Sequence, residues 1–133
     1  QSARNWLLQG GVWQALAANL QRVVAGYQKA LGEYEKVIAR AAPAKAAEAR
    51  FHRDSIELGR CFHTMGRHTA LAHIAARENR KVDAGVLRDA IANLERIVEL
   101  SDRVGTFEYR RDWYTEAIAN MRREVRRRRR APP

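Results

Sequence analysis

The chain has one cysteine, Cys61. A lone thiol closes no internal disulfide and builds no multi-cysteine metal site, a usage that favours a reducing compartment. No apolar run approaches the ~18–20 residues that a membrane-spanning helix needs. Prolines number three, and two of them, Pro132 and Pro133, are the last residues. Helix breakers are therefore scarce. No Glu-x-x-His occurs, which excludes the carboxylate-bridged di-iron pattern of helical bundles. Cys-x-x-Cys-His is absent, and Gly10-Gly11 lacks the flanking residues of a phosphate-binding loop. No cofactor and no metal are expected.

What is present reads as helix almost throughout. In 12–41, Trp13, Leu20, Tyr27, Tyr34 and Ala41 recur every seven residues, and Ala17, Val24, Leu31 and Ile38 interleave. That is the seam of coiled-coil-like packing. Leu16, Val23 and Val37 widen it, which suits a bundle better than a two-stranded coil. Gly26 and Gly32 each cost the helix about 1 kcal/mol relative to alanine, and close approach of a neighbouring helix is their expected compensation. Pro43 marks the turn. The next helix, 45–79, carries Phe51, Leu58, Met65 and Ala72 in one heptad series and Ser55, Phe62, Thr69 and Ala76 in the other. Ile56, Leu71 and Ile74 fall off that seam and imply a second neighbour. Gly66, near the middle, is a candidate kink. Asp83 is placed to cap a helix over 84–103, which Gly105 ends. A last helix is expected over 110–129, and a short one over 2–9.

The fold class is all-α: an elongated up-and-down bundle of three to five helices, two of them long. The bundle occupies residues 1–121, followed by an arginine-rich extension over 122–133.

Residues able to do chemistry do not converge. His52 and His63 share a helix face but lie about 16 Å apart along the axis, too far for one metal ion. His68 and His73 rotate off that face. Cys61, next to Phe62 and near Leu58, reads as a buried, inert thiol. The carboxylate pairs Glu95–Glu99 and Asp112–Glu116 read as solvated faces. No catalytic residue is assigned. Trp13, Tyr27 and Tyr34 have core spacing; Tyr109, Trp113 and Tyr114 read as packing anchors rather than a base-stacking patch.

Charge is what remains. Lysine and arginine total 25 against 15 acidic residues, a net charge of +10. Arg122, Arg123, Arg126, Arg127, Arg128, Arg129 and Arg130, with Glu124 among them, hold +6 of it. The rest of the chain carries about +4. If helical, the run displays arginine on every face and cannot enter a core. If extended, it is an arm. Either way guanidinium forks match phosphate oxygens, with about five to seven contacts and little sequence choice.

The expected function is a non-enzymatic structural or interaction subunit of a larger assembly. Its arginine-rich end would bind a polyanionic partner, nucleic acid or an acidic protein surface, and other protein subunits would complete the assembly. Trp6, Leu7 and Leu8 form a second, apolar docking element, since a short helix cannot bury them alone. One alternative is a helical accessory segment of a larger enzyme, to which the Gln1 start points. The other is a small helical-bundle enzyme or ligand carrier.

Overall fold

The structure is a computed structural model that describes residues 11–105 and 110–131. The expected 2–9 helix, with Trp6, Leu7 and Leu8, and also Tyr109, lie outside the described residues. Four helices account for most of what is described: α1 (Gly11–Arg40), α2 (Pro43–Arg77), α3 (Ala84–Val104) and α4 (Arg111–Arg130). No strand occurs among the described residues.

Local chemistry sets the joints. Ala42 is extended, with ψ 153°, and Pro43 opens α2. That is the geometry proline imposes on the residue before it and tolerates in a first turn. Asn79 ends α2 in a left-handed conformation, φ 52°. The Arg80 amide donates to the Ala75 carbonyl at 3.0 Å and the Asn79 amide to the Ala76 carbonyl at 3.2 Å. This pair of bonds satisfies carbonyls the helix would otherwise strand. Gly105 closes α3 with φ 58° and donates to the Ser101 carbonyl. Asp83 does occupy the position before α3, but its side chain makes no capping bond. Its carboxylate faces Arg80 instead, at 3.9 Å, and only its carbonyl serves the helix, through the Leu87 amide.

Helix backbones come close only between successive elements: α1 on α2, α2 on α3, α3 on α4. Named contacts make each pair antiparallel. Trp13 meets His73 and Glu35 meets Arg53 across α1 and α2. Glu57 meets Arg96 and Asp54 meets Arg103 across α2 and α3. Arg111 meets Asp102, and Arg122 meets Glu95, across α3 and α4. Among the described residues, α1 and α4 do not close the ring.

The main core lies between α2, α3 and α4: Leu58, Cys61, Leu94, Ile97, Leu100 and Ile118. Ile97 and Leu100 are wholly buried, each contributing about 1.5–3 kcal/mol of transfer free energy. Asn93 Nδ2 donates to the Cys61 carbonyl at 2.9 Å, a buried polar tie between α3 and α2. A smaller cluster, Ala17 with Ala70 and Ile74, joins α1 to α2. Along α1 the heptad series is the protected face, while Leu16, Val23 and Val37 are exposed.

Two expectations are corrected. In α2 the proposed seam is not the buried face: Phe51, Ser55, Thr69, Ala72 and Ala76 are exposed, and Ala46, Asp54, Cys61, Ala70, Ile74 and Ala75 are buried with Leu58. A helix gripped on two sides has no single seam. The close approaches also fall on other glycines. Gly26 and Gly32 face open space, whereas a methyl group on Gly59 would lie 3.1 Å from the Tyr27 ring and one on Gly66 3.3 Å from Leu20. Helix α2 runs on through Gly66 as one helix.

Gly26→Ala and Gly32→Ala should therefore each stabilise the fold by roughly 0.5–1 kcal/mol. Gly59→Ala should gain clearly less, because the Tyr27 ring must move. Urea denaturation of the three variants decides it; equal gains at all three would mean that the helices do not approach at Gly59.

Candidate anion-binding helix

Helix α4 runs unbroken from Arg111 to Arg130, so the arginine cluster forms its last turns. Arginine is a good helix former, and cations near a helix C-terminus complement the backbone dipole. Seven guanidinium groups so close together repel one another, however, and the structure sorts them by what offsets that repulsion.

Arg122 binds Glu95 on α3. Arg128 donates to the Val82 carbonyl before α3 and to Glu124 at 2.9 Å, and its side chain is only 22 % exposed. Arg127 also grips Glu124, at 2.6 and 2.8 Å. Arg123 bonds Asn120. Arg126, Arg129 and Arg130 have no hydrogen-bond or ion-pair partner among the described residues. The run thus does not project uniformly. One edge is held against the bundle through Arg122 and Arg128, so a helical run need not stand wholly clear of its neighbours. The outer edge carries Arg123, Arg126, Arg127 and Arg130, which line one shallow depression with Ala131. Their spacing of three, one and three residues places them in a single stripe about 10 Å long.

Glu124 is the one acid within the run. Hydrogen bonds from Arg127 and then Arg128 hold its carboxyl down at about 2. It stays ionised through any ordinary pH and anchors the last two turns.

Between α1, α2 and α3 a set of arginines is matched by acids. Glu35, Arg53, Asp54, Arg103, Glu99, Arg96, Glu57 and Arg60 form an alternating chain of ion pairs across α1, α2 and α3. Burial pushes the Glu57 carboxyl up, but the hydrogen bond and charge of Arg60, with the charge of Arg96, bring it net below its usual value. A general acid needs the opposite shift. Cys61 is wholly buried, and burial pushes its thiol up to about 11, so little thiolate forms near neutral pH.

The histidines are engaged one by one. His73 stacks on Trp13, ring centroids 4.1 Å apart and planes 11° apart. His63 Nδ1 lies 2.7 Å from the Gly59 carbonyl, beside Tyr27. His52 is exposed. Burial, reinforced by the Arg67 charge, lowers the His68 pKa against the opposing pull of Asp89. No three ligating side chains converge among the described residues.

A feature the sequence reading missed is an apolar groove of about 470 Å³ between α2, α3 and α4. Its walls include Met65, Leu87, Leu94, Trp113 and Met121. Trp113 is 52 % exposed there and meets Tyr114 edge-on. Helix periodicity predicts each apolar stripe but not a gap left where two stripes fail to meet.

Comparison of the chain with family models, with curated proteins and with solved structures finds no match.

Because the folded-state pKa of Glu124 lies below that of an unfolded glutamate, about 4.3, its stabilising effect is present above that value. It is lost as pH falls toward 2. Acidification over that interval should unravel the end of α4, seen as reduced helical circular dichroism. The Glu124→Gln chain should lack that acid-dependent step and, with one negative charge removed, should elute from a heparin column at higher salt than the parent. An identical acid profile in both chains would mean that Glu124 does not pin the helix end.

Proposed function

We propose that this protein is a non-catalytic helical module of a larger assembly, attached through the last turns of α4 to a polyanionic partner, the phosphate backbone of a nucleic acid. The observation that carries the reading is the stripe Arg123, Arg126, Arg127 and Arg130, in a helix that Arg122 and Arg128 fix to the bundle. A row of guanidinium groups on a positioned helix gives parallel forks for phosphate oxygens. Their side chains are partly organised by contacts with Asn120 and Glu124, which lowers the ordering entropy that binding must offset.

Two further features support a module rather than an enzyme. Burial raises the Cys61 thiol and, against burial, Arg60 and Arg96 hold the Glu57 carboxyl net below its usual value, both away from reactivity near neutral pH. The exposed apolar residues Leu16, Val23 and Val37 recur along α1 at spacings of seven and fourteen. Such a row suits contact with other protein subunits.

Phosphate contacts release condensed counterions, so affinity should fall steeply with salt. Anisotropy titrations of labelled duplex and single strands across a salt series measure the slope. With Arg123, Arg126 and Arg130 all changed to serine, the log–log slope should flatten by roughly 2–3 units. Sequence preference should be slight in both proteins. An unchanged slope would remove α4 from the interface. Binding to polyglutamate but not to nucleic acid would move the partner to an acidic protein surface.

A further inference from the structure

The groove between α2 and α4 poses a problem of its own, independent of what the arginines bind. Backbone contact joins α4 to α3 but not to α2. The space between α2 and α4 is lined mostly by apolar side chains, with His68, Thr69, His73 and Asn93 among them. Its volume of about 470 Å³ lies within the range of about 300–1,000 Å³ common to sites that enclose an apolar ligand. Left to water, this surface forgoes hydrophobic stabilisation on both sides.

We propose that Trp6, Leu7 and Leu8 of this same chain fill it. The first described helix begins at Gly11, and two residues later Trp13 stacks on His73. His73 is itself part of the groove wall, with Thr69, Ala72 and Ala76 beside it on α2. The chain therefore enters the described fold at the rim of the groove. An extended chain covers at most ~3.6 Å per residue, so Leu8 lies within about 11 Å of Gly11 and Trp6 within about 18 Å. The α2 wall from Met65 to Ala76 is about 16 Å long. All three apolar residues can thus lie along it. Gly10, just ahead of α1, has no side chain to restrict a change of direction there. A tryptophan and two leucines match an aliphatic and aromatic lining that includes Leu87, Leu94 and Trp113.

The consequence is mechanical. Seated there, the segment braces α4 from the side that α3 leaves bare. The groove also adjoins the arginine-rich end, since the Val82 carbonyl that receives Arg128 belongs to a groove-lining residue. The N-terminal segment then stabilises the helix that presents the cationic stripe.

The test uses the full chain carrying Leu8→Cys with Ala72→Cys. Cys61 is buried and stays out of the reaction. Mild oxidation with oxidised glutathione should give an intramolecular disulfide in most molecules. The control pair, Leu8→Cys with Ala39→Cys near the far end of α1, should give none. Failure of the first pair to link, or equal linkage in both, overturns the proposal. Linkage only between molecules also overturns it and makes a second copy the occupant. A full chain with Leu7→Asp and Leu8→Asp supplies a second readout: binding of a neutral apolar dye should rise several-fold, and no rise would count against the segment.

Discussion

Burial of α2 between α1 and α3 is the contact from which the remaining geometry follows. Ala70 and Ile74 meet Ala17 on one side, while Leu58 and Cys61 meet Leu94, Ile97 and Leu100 on the other. Two helices can press on a third only where its side chains are small, and α2 places Gly59 under the Tyr27 ring and Gly66 under Leu20. Those glycines weaken the isolated helix, so α2 depends on its neighbours for part of its stability. With α2 fixed, α3 is fixed through Asn93 and the buried aliphatics, and α4 then makes close backbone contact with α3 alone, reaching the α2 side of the core through Ile118. The groove is what remains where the backbones of α4 and α2 stand apart.

Charge follows the same order. Arginines that lie between helices are compensated: Arg53 by Glu35 and Asp54, Arg60 and Arg96 by Glu57, Arg103 by Asp54 and Glu99. Partly exposed pairs of this sort contribute about 0–1 kcal/mol each, so their effect is more on register than on stability. The end of α4 differs. Glu95 and Glu124 are its acidic partners, and they engage Arg122, Arg127 and Arg128. More than half of the net positive charge is therefore gathered at the end of one helix, where a polyanion can reach it.

Much of this was legible in sequence, for physical reasons that differ by element. The α1 series from Trp13 to Ile38 is the protected face because α1 packs on one neighbour, the condition under which a heptad maps onto a seam. Pro43 and Gly105 mark joints because their backbone limits act locally. In α2 the same heptad reading misplaced the buried face. There burial is carried by Ala46, Cys61, Ala70 and Ala75, whose small side chains give a weak periodic signal. The arginine run was plain as composition, but its division into anchored and displayed groups was not. That division depends on Val82 and Glu95, each more than twenty residues away in sequence. The groove was invisible for a related reason: it arises where the backbones of α2 and α4 stand apart.

The sorting of the arginines bears on how a cationic helix end stays folded at all. Like charges at three- and four-residue spacing destabilise a helix by a few tenths of a kcal/mol per pair, and α4 stacks several such pairs in its last turns. Opposing this are the helix dipole, the double grip on Glu124 and the Arg128 bond to Val82. The balance is local and small, so the free stripe is the part of the molecule most responsive to counter-charge. On the proposed reading, a bound polyanion would relieve the repulsion while Arg122 and Arg128 stay on the bundle. Helix formation at this end and the proposed anion binding would then be linked in free energy: whatever tightens the first would strengthen the second, and the reverse would hold by the same amount.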